Sequence, residues 1–424
     1  MTRPTISVQA AIGPGAAVTN VFIIGTSLIG GTDVIGDTPI FGQGSMQEIG
    51  DRCSFMSTRS GRQRQLEQFR AATFAGEFDN TDGALDPSWT AGPYTDSGVT
   101  RINPNVAVKA VATWAGVDYP LYYGFADAWK PVRSYPEGGT MGLTATDAFK
   151  ILTRIEKLAQ SPVGAGDTTK ARLNRILDLI GWSNGARDFD AGSFTHQATT
   201  LAGPIANQLR LEADSGRGNL FVAPSGKVTF HDWFAWYTKG RSLVSQWTFG
   251  DGATEISPAG FAEMRADDLI YNDINISRVG GSTVTRQDPS VTPYPYLWSS
   301  YNRADLTLET DAQATQYAEQ VLRTSKDGGS RVDYIELQPD GFDDLWPVVL
   351  GAKFGDRITC NLTHPYTGVR FLGDYFIEGI DHDIPPLESG QPWTTVFYLS
   401  SAAAYPKNPF IIGSSLIGGT DVLV

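Results

Sequence analysis

The 424-residue chain contains only two cysteines, Cys53 and Cys360, and four histidines. Two thiols so far apart in sequence support neither a disulfide framework nor a CxxC zinc site, so two buried free thiols are expected. No stretch reaches the ~20 apolar residues of a membrane-spanning helix. Met1 to Ile6 lacks a basic region followed by an apolar core, so the expectation is a protein made in a cytoplasm with no export address. Positive charge is scarce: 33 Lys and Arg stand against 46 Asp and Glu, a net charge of −13. Tight nucleic-acid binding needs clustered Lys and Arg, so that function is disfavoured. An acidic surface suits a channel wall past which DNA slides without sticking, and it equally serves solubility. Long charge runs are absent. Hydrophobic residues at 41%, charged residues at 19%, 46 glycines and 24 prolines describe a turn-rich globular chain, long enough for two to four domains.

Catalytic signatures are missing as well. HExxH, HxH, GxSxG and P-loop patterns do not occur. Asp79, Asp82 and Asp86 surround Gly83, but an EF-hand loop needs an oxygen ligand five residues before its glycine, and that position is Phe78. Asx turns between two strands fit these aspartates better. Asp381-His382-Asp383 groups three metal-ligand types, with His364 upstream and His196 and His231 distant. Neighbours on a strand point to opposite faces, so the three side chains cannot converge on one ion. No catalytic, cofactor-binding or metal-binding residue is therefore assigned, no cofactor is expected, and the chain reads as a non-enzyme. Carboxylates are plentiful enough that a glycosidase pair stays open. Trp233, Trp236 and Tyr237 form one aromatic group, and Tyr294, Tyr296, Trp298 and Tyr301 form another. Core or interface packing is the favoured role for both, with stacking on sugars as the alternative.

What is present begins with a repeat. Phe22 to Gly36 reads FIIGTSLIGGTDVIG and Phe410 to Val424 reads FIIGSSLIGGTDVLV, identical at twelve of fifteen positions. The apolar runs Phe22-Ile23-Ile24 and Phe410-Ile411-Ile412 suit addition of a strand to a sheet edge. Two readings fit: paired docking arms, or flexible ends that share a duplication. Between the arms, period-two alternation predicts strands around Phe74-Gly76-Phe78 and Val106-Val108-Ala110, separated by the turn cluster Asn80 to Pro87. Helices are predicted over Thr144 to Gln160, from a Thr168 cap to Gly181, and from Pro204 to about Ala213. A hairpin turns at Pro224 to Lys227. Gly280 to Ser300 reads as a long loop, followed by a helix capped by Asp311. Strands return at Tyr334 to Leu337, Ile358 to Leu362, Arg370 to Leu372, Tyr375 to Ile380 and Thr394 to Ser400. Val106 to Asp127 and Ile358 to Asp381 share the order strand, turn, strand, Gly, Asp, which a duplication or coincidence would produce.

The predicted fold is α+β and multi-domain, mainly antiparallel β-barrel or sandwich tube-like domains with helical insertions. The divisions expected are an N-terminal arm at 1–50, a first tube-like β domain at 51–143, a helical region at 144–218 and a middle β region at 219–300. A helix plus a second tube-like β domain follows at 301–405, and a C-terminal arm at 406–424.

Arg59 to Pro87, RSGRQRQLEQFRAATFAGEFDNTDGALDP, resembles a signature of minor tail proteins in long-tailed bacteriophages, especially siphophages of actinobacteria. Gly218 to His231 (GNLFVAPSGKVTFH), Leu345 to Asp356 (LWPVVLGAKFGD), Tyr375 to His382 (YFIEGIDH) and Trp393 to Ser400 (WTTVFYLS) are similar to further parts of that pattern, in the same order. The resemblance is to the tail-tip hub, the tail-associated or baseplate-hub-like family. It implies a structural virion protein that closes the distal end of a tail tube. It further implies a homotrimer with two tube-like domains per chain, and a lumen for the tape measure protein and then DNA, which passes without specific binding. The implied partners are the distal tail ring or tube proteins and other tail-tip or fibre proteins, with assembly in the host cytoplasm. The arms depart from this pattern. A hexameric distal tail protein and a host-glycan-binding or glycan-cleaving tail protein are the alternatives.

Overall fold

The computed structural model describes residues 3–13, 45–96, 98–134, 138–157, 161–264, 270–288, 298–326 and 331–405. Both repeated segments, including Phe22, Ile23, Ile24, Phe410, Ile411 and Ile412, lie outside the described residues, as do Tyr294 and Tyr296.

The fold is α+β and rich in antiparallel strands, with several cores. The first strands are β1 (Thr5–Gly13), β2 (Ser45–Glu48), β3 (Cys53–Gly61), β4 (Arg70–Asp79), β5 (Ala107–Trp114), β6 (Val117–Ser134) and β7 (Gly138–Thr146). A helical segment follows, with α1 (Phe149–Arg154), α2 (Thr169–Asp178) and α3 (Ile205–Ser215). These pack on a small sheet of β8 (Arg187–Phe189), β9 (Asn219–Val222) and β10 (Val228–His231). Next come β11 (Thr248–Gly250) and β12 (Gly260–Met264). A second insertion holds β13 (Asp273–Arg278), β14 (Val284–Gln287), β15 (Ser300–Leu306) and α4 (Asp311–Ser325). The chain then supplies β16 (Arg331–Leu337), α5 (Trp346–Gly351), β17 (Arg357–Thr363), β18 (Arg370–Ile384) and β19 (Thr394–Ser401).

Thirteen strands form one sheet in the order β12-β16-β19-β18-β3-β4-β7-β6-β5-β1-β2, with β17 beside β18 and β11 beside β17. Two five-strand units inside it have the same topology. In the first, β3-β4-β7-β6-β5 are neighbours, all antiparallel. In the second, β12-β16-β19-β18-β17 are neighbours, again all antiparallel. The strands enter in the same chain order in both. The likeness stops at the outer strand: β1 runs antiparallel to β5, whereas β11 runs parallel to β17.

The repeat extends to a backbone irregularity. β6 carries a one-residue bulge at Asp127 and β18 carries one at Glu378. Two residues before each bulge stands a phenylalanine opposite a hydroxyl residue, Phe125 against Thr146 and Phe376 against Ser400. That hydroxyl bonds the bulge carboxylate in both units: Thr146 Oγ1 to Asp127 at 2.6 Å, Ser400 Oγ to Glu378 at 2.5 Å. Asp127 therefore corresponds to Glu378. The sequence pattern aligns Asp127 with Asp381 instead, because it matches Gly124 to Gly379, whereas the bulges make Gly379 the counterpart of Ala128.

Burial follows the expected alternation on β4, where Ala72, Phe74, Gly76 and Phe78 face inward. The cores are shared between units. Trp346, Leu350, Ile384 and Trp393 come from the second half of the chain yet lie in the core built by β1 and β4 to β7. Trp346 sits between Trp114 and Trp393, with ring centroids 5.8 and 5.0 Å away.

Several local expectations change. The helix expected over Thr144 to Gln160 is confined to Phe149–Arg154. Thr144 and Thr146 stay in β7, paired with both β4 and β6, and the buried Asp147 carboxylate takes the Ala72 and Phe149 N–H groups at the junction. The α4 cap is Thr310, not Asp311. Thr310 and Gln313 form a reciprocal capping box, and Asp311 lies in the first turn, where its charge suits the helix dipole. Val284–Gln287, inside the expected loop, is a strand because it pairs with β13. Arg370–Ile384 is one strand, not two, since the bulge bends it without breaking it. Within the segment 1–50 expected as an arm, Thr5–Gly13 and Ser45–Glu48 are strands of the main sheet, held by the ladder to β5. The Thr168 cap and the stripe Leu173, Ile176 and Leu177 are as expected.

The two units touch at Gly61 of β3 and Gly379 of β18, which pair directly. Gly61 has φ +95°, and a Cβ there would lie 2.4 Å from the Glu378 carbonyl oxygen. Gly61→Ala is therefore expected to cost about 2–4 kcal/mol through backbone strain and overpacking. A fall in thermal midpoint, against a nearly unchanged midpoint for Gly240→Ala, where no atom would lie within 4 Å of the added Cβ, checks it.

Candidate assembly interface

Two of the sequence motifs meet at this junction. β3 pairs antiparallel with the C-terminal part of β18, from Gly61 opposite Gly379 to Met56 opposite Ile384. Arg59 projects from the outer face and bridges Asp381 at 2.9 Å and Asp383 at 3.2 Å. Arg62, just past the strand, bonds Glu378 through Nε at 2.7 Å and the Glu67 carbonyl at 3.0 Å. Both partners of that pair are almost fully buried, and the Arg62 guanidinium lies 4.7 Å from the Phe69 ring centroid. The Arg62–Glu378 pair joins residues 316 positions apart and is not apparent from local sequence. Its signal was a single carboxylate inside the apolar run Tyr375 to Ile380.

The hairpin β9–β10 and the loop before β17 close over the same place. Phe221, Phe69 and Phe354 form a triangle with centroids 5.1 to 5.5 Å apart. Asp356 caps the loop by accepting the Lys353 N–H and pairing with Arg241. Asp356 is mostly buried, and desolvation raises its pKa against the pull of Arg241.

The other candidates take up packing roles. Asp79, Asp82 and Asp86 each accept a backbone N–H two residues on, from Thr81, Ala84 and Ser88, as Asx turns do. Asp82 also pairs with Arg52, and Asp86 with Arg133. His382 turns away from its neighbours Asp381 and Asp383, bonds Thr395 Oγ1 at 2.8 Å and packs edge-on to Trp393. His196 is enclosed between Thr169 and Thr307, with Glu212 2.8 Å away. That glutamate also pairs with Arg172, which is fully buried and donates to the Gly164 and Gln197 carbonyls. The network ties α2 and α3 to Thr307, the residue that follows β15. His364 accepts the Tyr366 and Thr367 N–H groups. Among the described residues no three His, Cys, Asp or Glu side chains form a metal-holding group. Trp236 and Tyr237 are buried with Phe376 and Tyr405, Tyr301 packs on Tyr271, and Trp298 is exposed. Cys53 and Cys360 are free thiols, with pKa values pushed up by burial to about 11 and about 12.

No family model matches the sequence, and no curated protein does. Solved structures do. The tail protein from Neisseria meningitidis MC58 is similar with a TM-score of 0.55 at 12% identity, covering 85% of this chain and 95% of its own. The 43 kDa tail protein of prophage MuSo2 from Shewanella oneidensis gives a TM-score of 0.53 at 12% identity, covering 96% of this chain and 99% of its own. The chain shares their fold over nearly its whole length.

Removing one member of the buried pair strands the other charge. Arg62→Met is expected to destabilise by about 3–5 kcal/mol, and Arg62→Met with Glu378→Leu by less than Arg62→Met alone. Denaturant midpoints of the single and double variants test this. Burial also lowers the His382 pKa to about 4. Its imidazole stays neutral in the folded chain while the unfolded chain protonates near 6.5. Stability is thus complete above pH 6.5 and falls as pH drops towards 4, by on the order of 3 kcal/mol from this residue. His231, also lowered to about 4 by burial, adds to the slope. The pH dependence of the urea midpoint is expected to flatten in His382→Asn.

Proposed function

We propose that this chain is a structural protein of a phage tail tip, a hub that closes the distal end of the tail tube as a homotrimer. The observation that carries the reading is the recurrence, in one chain, of a five-strand antiparallel unit joined edge to edge, in a fold shared with phage tail proteins. Three chains with two units each supply six similar units, the number that meets a sixfold tail ring. Support for a duplication comes from the bulge carboxylates Asp127 and Glu378 with their hydroxyl partners, a detail that strand order alone does not demand. The second unit is opened between β12 and β16 by the insertion around α4, and the helical segment lies between the units. These insertions distinguish a hub from a plain ring subunit.

In this reading the neighbours are the distal tail ring or tube and other tip or fibre proteins. The ring encloses a lumen through which the tape measure protein and then DNA pass, and the chain has no catalytic role. The arms at Phe22-Ile23-Ile24 and Phe410-Ile411-Ile412 are docking peptides, six per trimer, that contact equivalent surfaces either on the neighbouring ring or on successive domains of the hub itself.

The test is mass. Native mass spectrometry of the purified protein, and the copy number in isolated tail tips, are expected to give three chains per particle. A stable monomer, or six copies in one ring, overturns the reading, as does cell-wall hydrolysis abolished by substitution of a single carboxylate.

A further inference from the structure

A cavity of about 140 Å³ opens where the junction, the helical segment and the second insertion meet. Five arginines line it, in a chain whose net charge is −13. They are Arg62 just past β3, Arg210 of α3, Arg217 just past α3, Arg303 of β15 and Arg323 of α4. Among the described residues, the carboxylates on its wall are Glu67 and Asp214. Arg62 is taken up by Glu378, and Arg303 by Asp305 and Asp214. The other three arginines have no ion pair among the described residues. The Arg210 guanidinium lies 4.8 Å from the Phe149 ring centroid, and its Nε has no hydrogen-bond partner. Arg217 lies over Tyr317 and donates to Thr324 Oγ1 at 3.1 Å. Arg323 lies over Tyr237 and donates to its hydroxyl at 2.6 Å, again with Nε unpartnered.

The charges converge. Burial raises the pKa of the Tyr405 hydroxyl on this wall, while Arg217, Arg62 and Arg323 all pull it down, so three guanidinium groups act on one hydroxyl. A guanidinium cannot shed its proton, so unpaired charge at a cavity wall is relieved by an anion or by water. Two further wall residues, Leu66 and Arg217, are held at φ +71° and +54°. Such left-handed positions strain any residue with a side chain, and they cluster at ligand sites.

We propose that this cavity binds a phosphate monoester of a small hydroxylated alcohol, with Arg210, Arg217 and Arg323 on the phosphate. One guanidinium fork saturates a carboxylate. Three forks from three places in the chain match an anion with three free oxygens and a charge of about −2. The alcohol follows from the other unpartnered groups on the wall. Glu67 Oε2, 3.8 Å from Arg70, and Gln320 Oε1 are buried acceptors with no hydrogen-bond partner. They would repel a phosphate oxygen but accept from hydroxyl groups. Trp233 Nε1 is a buried donor beside them on the same wall. Inorganic phosphate leaves the acceptors unmet, whereas an ester with free hydroxyls meets both sets. The volume agrees, since one water takes about 30 Å³ and the cavity exceeds that several times over. The site lies within one chain, so it stands whether or not the chain is a trimer.

The experiment is calorimetric titration of the full chain at fixed ionic strength with glycerol 3-phosphate, inorganic phosphate and glycerol, alongside thermal midpoints. Glycerol 3-phosphate is expected to bind roughly tenfold or more tightly than inorganic phosphate, and glycerol alone not to bind. Arg210→Gln and Arg323→Gln are each expected to weaken the ester by roughly tenfold or more. Neither is expected to lower the midpoint of the ligand-free chain, because each removes a charge that has no partner. A fall in that midpoint marks a purely structural role and overturns the assignment of these arginines. Gln320→Leu is expected to weaken the ester and leave inorganic phosphate unchanged. If the ester gives no more response than added chloride, or if Arg210→Gln leaves its affinity unchanged, the site is wrong. Inorganic phosphate binding as tightly as the ester overturns the alcohol.

Discussion

A guanidinium and a carboxylate buried side by side mark the seam on which the two halves of this sheet depend. Arg62 and Glu378 are buried where the first five-strand unit meets the second, and neither can return to water without opening the junction. Their desolvation is offset by close geometry and by further bonds, from Ser400 to Glu378 and from Arg62 to the Glu67 carbonyl. Both glycines at the contact are required by the same closeness, because Gly379 also leaves no space for a side chain beside the Arg62 and Ser60 carbonyls. The pair thus fixes the position of one unit against the other, and every strand on either side inherits that position through the ladders.

The insertions sit where they do not disturb this frame. The chain leaves the repeating pattern after β7 and again after β12; the first set of extra elements shares its core with Ala11, Ala107 and Phe125 of the first unit, and the second set has a core of its own. Aromatic contacts at the junction include Phe221 from the β9–β10 hairpin, against Phe354, and Trp236, stacked 5.1 Å from Phe376. Loss of such an aromatic face would loosen an insertion while leaving the sheet ladder intact.

Much of the fold was legible in the sequence because alternation and caps are local. The inward set on β4, the stripe on α2 with its Thr168 cap and the β9–β10 hairpin all follow from residues close in sequence. What escaped was decided by partners far away. Thr144 and Thr146 read as the start of a helix until β4 and β6 claim them. Glu378 looked like one charge among strand residues, because its partner Arg62 lies 316 positions earlier. The Asp381-His382-Asp383 group was read correctly as divergent, since opposed faces are a property of the strand itself.

The length of the β3–β18 connection has a consequence in time. Residues joined across it are separated by 316 to 324 positions. At synthesis rates of roughly 5–20 residues per second, β3 waits roughly 15–65 seconds for its partner to emerge. Throughout that interval its outer edge is open to any strand nearby. Ser57, Thr58, Arg59 and Ser60 make that edge polar, which discourages wrong pairing. A second copy of the chain that reached this edge first would offer its β18 in place of the chain's own, so prompt closure of β3 on β18 decides whether a chain completes its own sheet or becomes entangled with another.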